Sequence, residues 1–209
     1  QKILSAAELI KQHPALRAVY VTNFGCGPDS FIAHFFKNKL QGEPYLVLEI
    51  DEHSADTGII TRLEAFLDSL SHAPQSQHLP AAVPARAVMN IPWTKRTLYI
   101  PRMSDHAMAF AAAFAACGVT AHVMPESDEE TLAWGRKLTS GRECYPCILT
   151  TGDIAKTVKS PGFNPDRAAF FMPSGRGPCR FGQYHRFHRQ VLHELGYPDV
   201  PVFAPVQDE

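Results

Sequence analysis

What most restricts the fold of this chain is an alternation that runs almost end to end. Short runs rich in β-branched and aromatic residues are each followed by a polar or glycine-rich loop and then by a segment of helical periodicity. Residues 18–22, 45–50, 97–100, 119–124, 168–172 and 200–203 read as strands. The intervening helices are expected over 28–40, 56–70, 104–117, 127–138, from the 144–147 cysteine pair to about 159, and over 181–195, after a short first helix ended by Pro14. Pro28 suits an early helical position, Gly118 a helix end, and the acids Asp128, Glu129 and Glu130 a first turn. Strands and helices alternating along most of the chain imply an α/β fold with mostly parallel sheets flanked by helices. Right-handed crossovers then gather the strand-to-helix loops on one edge of each sheet, where ligands of such folds collect.

The alternation breaks twice. No strand separates the helix over 127–138 from the cysteine pair, so six extended residues from Leu138 to Glu143 would have to climb back, by roughly 20 Å, to bring the pair to the loop edge. Across 71–95, Pro74, Pro80, Pro84 and Pro92 fall among Ser, Gln, His and Ala without apolar periodicity. This segment reads as a linker or crossover between two Rossmann-like lobes, 1–70 and 96–209. A chain of 209 residues has room for both. Its net charge of −1 gives no electrostatic reason to expect a nucleic acid or an anionic membrane as partner. The longest apolar run, 107–119, is too short to span a bilayer, which needs roughly twenty residues, and reads as a buried helix. Five cysteines and the lack of a basic-then-apolar opening segment argue against a secreted disulfide framework and for the cytoplasm. The first residue, Gln1, suggests either a processed chain or a piece cut from a longer one.

Four of the cysteines lie in loops. Cys144 and Cys147 stand three positions apart in Gly141-Arg142-Glu143-Cys144-Tyr145-Pro146-Cys147, where a helix start is expected to favour thiolate over thiol. Cys26 and Cys179 sit in two similar segments, Asn23-Phe24-Gly25-Cys26-Gly27-Pro28 and Ser174-Gly175-Arg176-Gly177-Pro178-Cys179. Cys117 ends an apolar helix and reads as a buried, inert thiol. The spacing leaves three readings of the other four. They converge on one iron–sulfur cluster, whose thiolates accept hydrogen bonds from glycine-rich loops. Alternatively they hold structural zinc, although zinc usually takes two close pairs and only one exists here. In the third reading, Cys144 and Cys147 alone form a thiol–disulfide couple.

Asp51, Glu52 and His53, with Asp29 and Asp56, form a polar cluster at the same expected edge. Helix capping in a solvated loop accounts for them. The functional alternative is a substrate or partner contact with Glu52 or His53 as proton donor. His185, His188 and His193 with Arg180, Arg186 and Arg189 read as a solvated basic face of the last helix, or as a holder for a phosphate or acidic partner. No glycine-rich segment carries the lysine and hydroxyl of a nucleoside-triphosphate loop.

The segments Asn23 to Phe31, Leu48 to Asp56, Gly141 to Cys147 and Gly177 to Tyr184, in that order, resemble the dehydratase-like region of large fused acyl-CoA dehydratase activase proteins, relatives of 2-hydroxyacyl-CoA dehydratase and of double-cubane cluster proteins. The resemblance implies a cluster of the 4Fe-4S type or larger, held by Cys26, Cys144, Cys147 and Cys179 between the lobes. It also implies low-potential electrons delivered by an ATP-hydrolysing activase, with an acyl-CoA as candidate acceptor. Oligomeric state stays open.

Overall fold

Helix and strand follow one another as the sequence periodicity predicts. The structure, a computed structural model, describes residues 2–23, 27–72, 92–177 and 179–206. The chain divides into two compact units, Gln1–Val83 and Pro84–Glu209. Most of the expected linker, residues 73–91, lies outside the described residues.

The first unit contains α1 (Lys2–Gln12), β1 (Ala18–Thr22), α2 (Pro28–Leu40), β2 (Tyr45–Glu49) and α3 (Asp56–His72). β1 and β2 pair in parallel, Ala18 opposite Tyr45 and Thr22 opposite Glu49. Side chains along β1 alternate: Ala18, Tyr20 and Thr22 are buried, Val19 and Val21 exposed. The buried side packs with Ala7, Phe36 and Leu40 into one core. Each large side chain so buried contributes about 1.5–3 kcal/mol before entropy is counted. The Tyr20 and Phe36 rings lie 5.1 Å apart. Asp29 joins helix to strand, accepting hydrogen bonds from Tyr20 Oη at 3.1 Å and Thr22 Oγ1 at 2.8 Å.

The second unit runs β3 (Thr97–Ile100), α4 (His106–Ala116), β4 (Thr120–Val123), α5 (Glu129–Leu138), α6 (Tyr145–Lys159), β5 (Ala168–Phe171), a 3-10 turn (Arg180–Gln183), α7 (Tyr184–Glu194) and β6 (Val202–Phe203). Among the described residues its four strands are all parallel, in the order β4-β3-β5-β6. The chain steps from β3 to β4 on one side and then returns to β5 on the other. The direction of winding therefore reverses between β3 and β5, the kind of crevice where open α/β sheets bind ligands. All four residues of β5 are buried, as a strand covered on both faces requires.

Helix α4 corrects one expectation. The sequence suggested a buried helix, yet of its residues only Ala107 is buried, while Met108 and Phe110 are exposed. Ala111 and Phe114 are partly buried against the sheet. An alanine-rich helix is apolar all round, so hydrophobicity alone cannot say which side is covered. Cys117, expected to be a buried thiol, is exposed where α4 ends. No helix among the described residues is long and apolar enough to cross a membrane.

Candidate functional site

The cysteine pair owes its position to two glycines. The cores of α5 and α6 meet so closely that a Cβ on Gly135 would collide with the Ile148 carbonyl, and one on Gly152 with the Thr131 carbonyl. The residue pairs run in opposite senses, so the helices are antiparallel. Lys156, near the end of α6, lies at the start of α5, with Nζ donating to Asp128 at 2.6 and 2.7 Å. Asp128 also caps α5 by accepting from Thr131 N at 2.9 Å. The Lys156 hydrogen bond, with help from Thr131, lowers the Asp128 pKa to about 2. Beside them Asp153 is buried, accepting from Ser127 Oγ and Thr131 Oγ1, and burial pushes its carboxyl upward in pKa.

α6 reaches the carboxyl edge of the sheet only in its last turns, where Thr157 Oγ1 donates to Met124 Sδ at 3.1 Å. Its first turn, which carries the cysteines, is about 18 Å away along the helix at 1.5 Å per residue. On the sequence reading, residues 138–143 would climb back in extended form to bring the cysteines to that edge. The antiparallel hairpin makes that climb unnecessary, because α5 itself leads outward.

α7 runs parallel to α6. Cys144 meets Tyr184, Thr150 Oγ1 lies 3.2 Å from His188 Nε2, and Tyr197 Oη, just past α7, donates to the Val158 carbonyl at 3.3 Å. Tyr184, Phe187, His188, Val191 and Leu192 are the buried residues of α7, at helical spacing of three and four. His188 therefore departs from the solvated basic face expected of it. It is wholly buried, and burial lowers its pKa to about 3, so its ring is neutral at ordinary pH.

The loop bearing Cys179 is held by a second close approach. A Cβ on Gly182 would strike the Gly175 carbonyl, and Ser174 Oγ donates to the Gly182 carbonyl at 3.1 Å. Ser174 is tied in turn to the end of the chain by its N–H to the Pro205 carbonyl at 2.8 Å.

The two cysteine segments come together at Tyr184. Its hydroxyl is hydrogen-bonded to Cys144 Sγ at 2.6 Å. Burial foremost, then that hydrogen bond and the nearby charges of Cys144, Cys147 and Cys179, raise the phenol's pKa. The hydroxyl thus keeps its proton and serves as the donor whenever Cys144 is a thiolate. Cys144 and Cys179 are exposed, while Cys147 is fully buried.

Cys147 overturns the expectation of a thiolate. Burial first, and then the charges of Cys144 and Glu143, push its thiol upward in pKa. A helix dipole offers about 0.3–2 kcal/mol, and desolvation of a fully buried thiol exceeds it. Among the described residues no group of three or more His, Cys, Asp and Glu side chains stands ready to hold a metal ion. Cys144 and Cys179 fit as sulfur donors, being accessible, with the Cys144 sulfur on the Tyr184 hydroxyl and the Cys179 thiol close enough for its charge to act on that phenol. Cys147, with its sulfur turned into the core, does not fit in this arrangement. Cys26 lies outside the described residues.

The acidic cluster of the first unit has an ordinary structural explanation. Asp51 Oδ1 accepts from His53 N at 2.9 Å and from Ser54 Oγ at 3.0 Å, closing a turn before α3. Glu52 and His53 are exposed and form a loose 3.8 Å pair. Sequence reasoning missed Tyr184 and Asp153. The apolar spacing of α7 carried a signal for Tyr184, whereas nothing local marked Asp153. No protein-family model, curated protein or solved structure matches this chain.

Proposed function

We propose that this chain is a cluster-binding module of a low-potential electron-transfer system, related in kind to 2-hydroxyacyl-CoA dehydratase and served by an ATP-hydrolysing activase in the cytoplasm. The observation that carries the reading is the hydrogen bond between Cys144 Sγ and the Tyr184 hydroxyl, which joins the first turn of α6 to the start of α7, five residues past the exposed Cys179. The sequence resemblance supports the same cysteines. Cys144 and Cys179 would hold the group, with Cys26 and Cys147 completing the set if the Cys147 sulfur turns out of the core. When bound, an iron–sulfur cluster supplies one-electron chemistry. The chain's own part is to fix two sulfur positions with rigid glycine contacts and to offer the Tyr184 hydroxyl as a hydrogen-bond donor to Cys144. An acyl-CoA is the candidate acceptor.

Anaerobic reconstitution with iron and sulfide, followed by visible and paramagnetic resonance spectra, tests this. The expected result is a brown protein with a cluster signal that is lost in Cys144→Ala and Cys179→Ala and kept in Cys117→Ala. A colourless protein with stoichiometric zinc would replace the reading with a structural zinc site.

One observation favours a second reading. An exposed Cys144 followed one helical turn later by a buried Cys147 suits thiol–disulfide exchange. Cys144 would attack a substrate disulfide, and Cys147 would then release the reduced substrate by closing the Cys144–Cys147 bond, two electrons passing from the pair to the substrate. In that case activity on a disulfide substrate survives Cys179→Ala and fails in Cys144→Ala.

A further inference from the structure

At the far end of α6, about 18 Å along the helix from the cysteine-bearing first turn, lies a cavity of about 330 Å³ that the sulfur chemistry does not use. It sits where β3 and β4 end, and its size is that of a small-molecule pocket. Tyr99 and His122 line it, opposite one another in the β3–β4 register, with ring centroids 6.4 Å apart. Phe163 and Phe170, at 6.1 and 5.6 Å, pack against the Tyr99 ring. Asp153, Lys156, Thr157 and Ser160, spaced by three and four, turn one side of the end of α6 to the same space. Of the carboxylates and the ammonium that line the cavity, only Asp153 lacks a charged partner among the described residues. Lys156 Nζ is held by Asp128 at 2.6 and 2.7 Å, and Glu126 meets Arg102 Nη1 at 3.0 Å. Asp153, 7% exposed, accepts instead from two neutral hydroxyls, Ser127 Oγ at 2.9 Å and Thr131 Oγ1 at 3.1 Å. An ionised carboxylate offers about four acceptor positions, so two donors leave it capacity for a ligand. Its raised pKa has the same origin, a negative charge buried without a counter-charge.

We propose that this cavity binds a small planar heterocycle whose N–H edge donates to the Asp153 carboxylate and whose ring lies against Tyr99 and His122. Aromatic side chains favour a flat ring, and a buried carboxylate without a cation favours N–H donors and repels an anion. The site is separate from the cysteines and stands whether or not they hold a cluster.

The test uses the full, reduced, metal-free chain labelled with nitrogen-15, with backbone amide resonances followed as ligand is added. Three probes of similar flat shape are compared: 2-aminobenzimidazole, which has an N–H edge, benzofuran, which has none, and benzoate, which is an anion. The expected result is a saturable shift of the His122, Met124 and Thr157 amides with 2-aminobenzimidazole. Benzofuran and benzoate should bind weaker by about tenfold or more, the worth of a charge-assisted hydrogen bond. Asp153→Asn should weaken 2-aminobenzimidazole by a similar factor, and His122→Ala, on an exposed position of the edge strand β4, should weaken it as well. Arg62→Gln, in α3 of the other unit, should leave the affinity unchanged. No saturable shift at those amides, equal affinity for the three probes, or unchanged affinity in the folded Asp153→Asn chain overturns the proposal. Should Asp153→Asn fail to fold, the contrast between probes on the unaltered chain, together with His122→Ala, decides. Because iron is absent throughout, failure of cluster reconstitution and failure of heterocycle binding are separate results.

Discussion

An imidazole in the interior of α7 makes stability depend on pH in a defined direction. Burial holds the His188 pKa at about 3 in the folded chain, against the ordinary imidazole value of 6.5 once the ring is exposed. Between those values the unfolded chain binds a proton that the folded chain does not. Stability therefore falls as pH drops from 6.5 toward 3, with a slope of up to about 1.4 kcal/mol per pH unit. Urea midpoints measured from pH 7 to pH 4.5 should fall, and His188→Leu should flatten the trend. An identical slope in both proteins would mean that the ring is solvated. Asp128 acts in a lower window. Its folded pKa is about 2 against an ordinary carboxyl value of 3.8, so its pairing with Lys156 is fully present above 3.8 and lost as pH falls toward 2. The thiols differ as sharply. In the native, metal-free chain iodoacetamide should label Cys144 and Cys179 and leave Cys147 at least about 100-fold slower, until denaturant exposes it. Peptide mass mapping reads the ratio.

At the scale of elements, the α5–α6 contact is the part of the second unit least able to accept change. Gly152→Ala would drive a methyl group into the Thr131 carbonyl, and Gly135→Ala would do the same at Ile148. Either should cost about 1–3 kcal/mol by overpacking, although alanine is the better helix former. Thermal melts of the two variants check this, and a stabilised Gly152→Ala would show that the helices stand further apart. The same elements mark what the sequence could and could not convey. Strand and helix spans were legible because periods of two and of about 3.6 residues survive in the apolar pattern. The buried residues of α7, from Tyr184 to Leu192, follow the same period, a signal passed over when its histidines and arginines are taken as one solvated basic face. The exposure of α4 was not legible, since alanine on every side leaves no period to read. Nor was the direction of α6, which depends on where two helix backbones can touch.

For the molecule as a whole, the two units differ in what they can sustain alone. Among the described residues the second has a four-stranded sheet with a buried central strand, while the first has two strands, one of which leaves Val19 and Val21 exposed. Two-stranded sheets are marginal in water without further packing. A fragment of residues 92–206 should therefore unfold cooperatively in urea, as followed by circular dichroism, whereas residues 2–72 alone should show a broad, weak transition. A sharp transition for the shorter fragment would show that α1 and α2 suffice to stabilise it. Of the candidate centre, the sequence revealed the cysteines but not their environments. Burial separates Cys147 from Cys144 within a single helical turn, and no local pattern encodes that. The loop that carries Cys179 closes on itself where Gly175 meets Gly182, with no spare volume between the two main chains. Adding one carbon through Gly182→Ala would displace the sulfur without altering any thiol, so an architectural lesion here can be told apart from a chemical one.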